Sequence, residues 1–122
     1  MDKKILIVED QDDLRLLVRL SLKSLGSIAL ASSAAEGLEK VRAERPDLVT
    51  LDVWLGKGDS GLDVCRAIKS DPATRHIKVL LLSACGQQSD VEAGMEAGAD
   101  HYMIKPFSPQ SLVEAAAGLL AA

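Results

Sequence analysis

The sequence predicts one α/β domain, a doubly wound parallel sheet of five strands with helices on both faces. Three observations lead there. Five short apolar runs recur along the 122 residues, at 5–8, 28–31, 48–51, 79–82 and 102–104. These runs do not alternate apolar with polar, which is the pattern of a strand buried on both faces. The segments between them have helical spacing and short connections, and right-handed crossovers then put helices on both sides of the sheet.

Each element follows in order. Ile5-Leu6-Ile7-Val8 is the first strand and stops at Glu9-Asp10. Leu14, Leu17, Val18, Ser21 and Leu25 trace one helical stripe, with Gly26 as the expected C-cap. Ile28-Ala29-Leu30-Ala31 is a weaker second strand. Ser33-Ala34-Ala35-Glu36 reads as a capping box opening a helix with Leu38 and Val41, finished before Pro46. Leu48-Val49-Thr50-Leu51 is the third strand. Leu62, Cys65 and Ile68 mark a helix that closes near Asp71-Pro72, ahead of the fourth strand, Val79-Leu80-Leu81-Leu82. Ser89 with Glu92 repeats the capping-box pattern ahead of Met95, and Gly98 stops that helix. After Tyr102-Met103-Ile104, Ser108 and Pro109 start a last helix through Leu112, Val113, Ala116 and Leu120.

Composition bounds the function. Apolar residues make up 48% and charged residues 26%, so the chain can build one core without a metal or disulfide staple, and residues 1–122 read as a single domain. The net charge of −4 argues against direct nucleic-acid binding and against a polybasic membrane anchor. Cys65 and Cys85 form no metal-ligand pattern and read as two buried thiols. The first apolar run is too short for a signal peptide, and none approaches the roughly eighteen residues of a membrane span. A soluble cytoplasmic domain is the expectation.

In a sheet of this kind ligands bind at the carboxyl ends of the strands. The first strand ends in Glu9-Asp10, the third in Asp52, the fourth in Ser83 and the fifth in Lys105-Pro106. Any one of these is ordinarily a turn residue, a loop hydroxyl or a solvated lysine. Asp12 and Asp13 are read as first-turn helix acids. Five positions, Glu9, Asp10, Asp52, Ser83 and Lys105, coinciding at four strand ends are harder to dismiss, and their chemistry is coherent. Clustered carboxylates need a cation, oxygen ligands suit Mg²⁺, and a lysine and a hydroxyl opposite suit a phosphoryl group. Asp52, on a central strand, is the best nucleophile for an acyl phosphate.

Ile5-Leu6-Ile7-Val8-Glu9-Asp10, Pro46-Asp47-Leu48-Val49-Thr50-Leu51-Asp52 and Gly98-Ala99-Asp100-His101-Tyr102-Met103-Ile104-Lys105-Pro106-Phe107 resemble the receiver domains of two-component response regulators, end to end. The resemblance implies a bacterial phosphorelay switch with a flavodoxin-like (βα)5 fold and strand order 2-1-3-4-5. It implies that Asp52 takes a phosphoryl group from the phosphohistidine of a sensor histidine kinase or phosphotransfer protein. Asp10 would ligate Mg²⁺ directly, Glu9 mainly through water, and the Trp54 backbone carbonyl would be a further ligand. Lys105 would pair with the acyl phosphate, and Lys105–Pro106 would be cis. Ser83 would bond a phosphate oxygen after the switch, and Tyr102 would turn from solvent-facing to buried. The surface of helix 4, strand 5 and helix 5 would then control a downstream partner or an attached output domain, and a homodimer is allowed. Such a domain is not a conventional enzyme; it catalyses its own phosphorylation and dephosphorylation.

This chain departs from the family pattern at several places. Gly56 stands where proline is usual, and the loop of residues 55–61 is one residue longer, with added glycine freedom. Trp54 has bulk to shield an acyl phosphate. The last helix carries one charge, Glu114, between Ser111 and Ala122, so the salt-bridged dimer pattern is missing. Its Ala115, Ala116, Ala117, Ala121 and Ala122 read equally as a packing face or as plain helix formers. No output domain lies within these residues, which fits a single-domain regulator or the receiver of a longer chain. An aspartyl-phosphate phosphatase would need an acid where Trp54 stands. A decayed interaction module would lack site residues that are present, and a flavin domain would need a phosphate loop after the first strand.

Overall fold

The computed structural model describes residues 2–55, 60–84 and 86–122. Along the chain run β1 (Lys3–Val8), α1 (Asp12–Leu22), β2 (Gly26–Ala31), α2 (Ala34–Glu44), β3 (Leu48–Asp52), α3 (Gly61–Ser70), β4 (Lys78–Ser83), α4 (Gln88–Glu96), β5 (His101–Ile104) and α5 (Pro109–Ala121). All strands are parallel, in the order β2-β1-β3-β4-β5. This is the predicted doubly wound sheet. Residues 56–59 of the longer loop, Gly56 among them, and Cys85 lie outside the described residues.

Strand alternation divides the core in two. Leu6, Val8, Val49, Leu51, Val79 and Leu81 face one side, against Val41 of α2 and Val64, Cys65 and Ile68 of α3. Ile5, Ile7, Leu48, Leu80 and Leu82 face the other, against Val18 and Leu22 of α1 and Leu112 and Ala116 of α5. Ala116 is therefore a core residue, while Ala121 and Ala122 are exposed. Each fully buried Leu, Ile or Val side chain contributes about 1.5–3 kcal/mol of transfer free energy. At the far end from the strand tips, Lys69 ties α3 to the segments leading into β4 and β5. Its Nζ donates to the carbonyls of Ile77 (2.6 Å) and Arg75 (3.1 Å) and pairs with Asp100 Oδ2 at 2.8 Å.

Several local expectations are corrected. The buried α1 stripe is Val18 and Leu22 with Leu14 beside it; Leu17 is 41% exposed, and Leu25 falls beyond the helix. Leucines at 14, 16, 17, 20 and 22 surround this helix, so spacing alone could not choose its inner face. Gly26 opens β2 instead of capping α1: the cap position is Lys23, and a Cβ on Gly26 would lie 2.2 Å from the Lys3 carbonyl oxygen. The α4 capping box is Gln87 with Asp90, so the helix starts ahead of Ser89, which lies inside it. At α2, Ser33 Oγ accepts from Glu36 N as expected, but the Glu36 carboxylate reaches the N–H of Ser32. Gly98 does end the α4 region, at φ +100°, where an L side chain is strained.

Candidate functional site

Strand register brings the polar tips together. Val8 pairs with Leu51, Asp52 with Leu82, and Ser83 with Ile104. Glu9 thus stands one step past β1 beside Asp52, and Lys105 one step past β5 beside Ser83. Backbone bonds fix these tips: Glu9 N donates to Ala31 O (3.0 Å), Val53 N to Leu82 O (3.0 Å) and Lys105 N to Ser83 O (2.7 Å). The α3 helix begins against the end of β3, where Gly61 N donates to Val53 O at 2.8 Å. A Cβ at Gly61 would lie 2.1 Å from the Asp52 carbonyl oxygen, so only glycine allows that approach. The Lys105–Pro106 peptide is cis, as expected.

Carboxylate oxygens of Glu9, Asp10 and Asp52 all lie within 4.8 Å of one another. Asp52 is 4% exposed; its Oδ1 accepts from Trp54 N (3.0 Å) and its Oδ2 from Lys105 Nζ (3.0 Å). Glu9 is 2% exposed, and its Oε2 accepts from Gln11 N at 3.1 Å. Glu9 Oε1 is buried and makes no hydrogen bond among the described residues; Lys105 Nζ stands 3.7 Å away, beyond hydrogen-bond range. Burial pushes the Glu9 carboxyl up to about 8, the Asp52 charge adds to this, and Gln11 N–H and Lys105 oppose it. Asp10 is exposed at the rim. Three clustered acids facing one ammonium are short of positive charge, and an orphaned buried carboxylate oxygen is what a hard, oxygen-seeking cation would satisfy. The donor set fits Mg²⁺.

The remaining expected residues are placed as follows. Ser83 is fully buried at the β4 tip. Tyr102 pairs with Leu81, is half-buried and packs on the α2/α3-side core. Trp54 follows Asp52 with its side chain 63% exposed and bridges in backbone to Ser60. Asp12 and Asp13 sit in the first turn of α1, as expected. Cys65 is buried, its Sγ donating to Ala97 O, and burial pushes its thiol up to about 11; it is inert packing. Two contributors were not foreseen. Arg15 Nη1 donates to Glu9 O at 2.9 Å, and its sequence spacing held no hint of this. Gly61 follows the Ser60 N-cap, and a glycine there was a readable sign of close backbone approach.

Residues 5–117 match the family model described as the response regulator receiver domain. The chain is 39% identical over 113 residues to the alkaline phosphatase synthesis transcriptional regulatory protein PhoP of Bacillus subtilis, covering 92% of this chain and 46% of PhoP. It is 42% identical over 109 residues to the transcriptional regulatory protein AfsQ1 of Streptomyces coelicolor, covering 88% of this chain and 47% of AfsQ1. The chain thus spans about half the length of these relatives. Among solved structures it resembles the BeF3-activated receiver domain of DrrB, from Thermotoga maritima (TM-score 0.91, 32% identity, all of both chains). It also resembles the receiver domain of NtrX from Brucella abortus (TM-score 0.87, 29% identity, 97% of this chain and 98% of that one).

Proposed function

This chain belongs to the response regulator receiver family of phosphorelay signalling, and from that premise we propose that Asp52 is its phosphoryl acceptor. The observation that carries the reading is the buried Asp52 carboxylate, set among two further acids with Lys105 Nζ 3.0 Å away. A carboxylate oxygen of Asp52 attacks the phosphorus of a phosphohistidine on a sensor kinase or phosphotransfer protein. The P–N bond breaks, the imidazole nitrogen keeps the electron pair, and Asp52 becomes an acyl phosphate.

Asp10, Asp52 and the Trp54 carbonyl would hold Mg²⁺, with Glu9 acting through water. When bound, the ion neutralises the acids and the charge developing on the phosphoryl oxygens. Lys105 exchanges its carboxylate partner for a phosphate oxygen, and the Ser83 hydroxyl donates to another. These charge-assisted contacts exist only after transfer, each worth about 1.5–3 kcal/mol, and they bias the α4-β5-α5 surface through Tyr102. Met95 and Ile104 leave large apolar side chains exposed on α4 and β5, which supports a protein partner there, a second copy or an output domain included. No helix among the described residues is long and apolar enough to cross a membrane, and we place the domain in the bacterial cytoplasm. Trp54 is the only tryptophan and adjoins the acceptor. Its fluorescence should respond saturably to Mg²⁺ and then to acetyl phosphate, with the second response lost in Asp52→Asn. A donor response that survives in the variant would overturn the assignment.

A further inference from the structure

Gly94 lies buried inside α4, where glycine is the poorest helix former after proline. Its backbone does not require glycine: among the described glycines only Gly98 has positive φ. The requirement is spatial. A Cβ on Gly94 would lie 2.7 Å from Tyr102 Cδ2, 3.0 Å from Tyr102 Cε2 and 3.0 Å from Leu81 Cδ1. The Leu81 methyl is a chain end and can give way by a few tenths of an ångström. The tyrosine ring is rigid and can yield only by moving as a body. It has room to do so, because Tyr102 borders a cavity of about 120 Å³ lined by Val53, Trp54, Leu62 and Ala93.

We propose that Gly94 is the positioning residue that seats the Tyr102 ring between α4 and the sheet, and that the missing Cβ is what makes this packed ring position available to the switch. The consequence for signalling rests on the phosphoacceptor reading above; the seat itself does not. A ligand or modification shifts a two-state element only through contacts that differ between the states. A methyl group at position 94 penalises the ring position that packs on α4, so it separates the chemistry at Asp52 from the surface that the ring shapes.

Tyr102 is the only tyrosine, so 3-fluorotyrosine labelling gives one ¹⁹F resonance. In metal-free, unphosphorylated protein the half-buried parent ring should give a resonance shifted from free fluorotyrosine with a partly reduced H₂O/D₂O solvent shift, from which phosphorylation moves it further. Gly94→Ala should move the resonance and enlarge its solvent shift, while Asp52 still gains a phosphoryl group by intact mass. An unchanged resonance and solvent shift would overturn the proposal. A second reading survives poor folding of that variant. Gly94→Ala should lower the melting temperature of the parent by clearly more than in a Tyr102→Ala background, where the ring clash is gone and only the gain in helix propensity and the yielding Leu81 methyl remain; equal changes in both backgrounds would overturn the proposal. If the parent itself takes no phosphoryl group, the switch reading fails and the ¹⁹F and melting results still decide the seat.

Discussion

Replacing Glu9 with glutamine should change stability in a pH-dependent way that few surface substitutions could imitate. The Glu9 carboxyl is raised from 4.5 to about 8 in the metal-free fold, chiefly by burial. The folded state therefore binds more protons than the unfolded state between these values, and stability falls as pH rises through that window. Each tenfold change in proton affinity corresponds to about 1.4 kcal/mol, so burying the ionised group costs roughly 2–5 kcal/mol by about pH 9. The amide keeps the shape and the acceptor for Gln11 N–H but cannot ionise. Urea unfolding in EDTA should give nearly equal stabilities for parent and variant at about pH 4, where Glu9 is mostly protonated in both the folded and unfolded states. The variant should then gain the advantage progressively up to about pH 9. Saturating Mg²⁺ should remove that advantage, since the ion compensates the parent's charge. A parent–variant gap that stays constant with pH would refute the buried-carboxylate reasoning.

Three further outcomes follow from the geometry. Gly61→Ala forces its methyl onto the Asp52 carbonyl, so it should cost about 2–4 kcal/mol by urea unfolding and weaken Mg²⁺ binding by titration; wild-type values for both would contradict the close approach. Lys69→Met removes three anchoring contacts far from the site and should cost about 2–4 kcal/mol while leaving Mg²⁺ affinity within about twofold. Ser83→Ala should retain phosphoryl uptake by intact mass but lose the phosphorylation-dependent ¹⁹F shift of Tyr102, and a full shift would remove Ser83 from the switch.

The fold was legible because its strands are buried on both faces: non-alternating runs such as 5–8 and 79–82, bounded by polar residues and spaced by helical segments, read as strands of a covered sheet. The site was legible for a related reason. A carboxylate such as Asp52 directly after a buried run must be held by something, and the family resemblance supplied the set. Helix boundaries were harder to read. Ser89-x-x-Glu92 matches a capping box by residue type, yet Gln87 with Asp90 makes one two residues earlier, and sequence spacing cannot rank the two. Burial depth was not visible either. Glu9 and Asp10 are adjacent in sequence, but one is sealed at the strand tip and the other lies in solvent, which only the surrounding packing decides. Gly94 carried no signal, because its reason is a ring from another element.

The phosphoacceptor role of Asp52 is tested most directly by the intact mass of the metal-loaded chain after incubation with acetyl phosphate, with peptide mapping to locate any addition. The expected result is a gain of one phosphoryl group at Asp52, dependent on Mg²⁺, reversed by hydroxylamine as acyl phosphates are, and absent in Asp52→Asn. A phosphoryl group on any other residue, or an equal gain in Asp52→Asn, would contradict it.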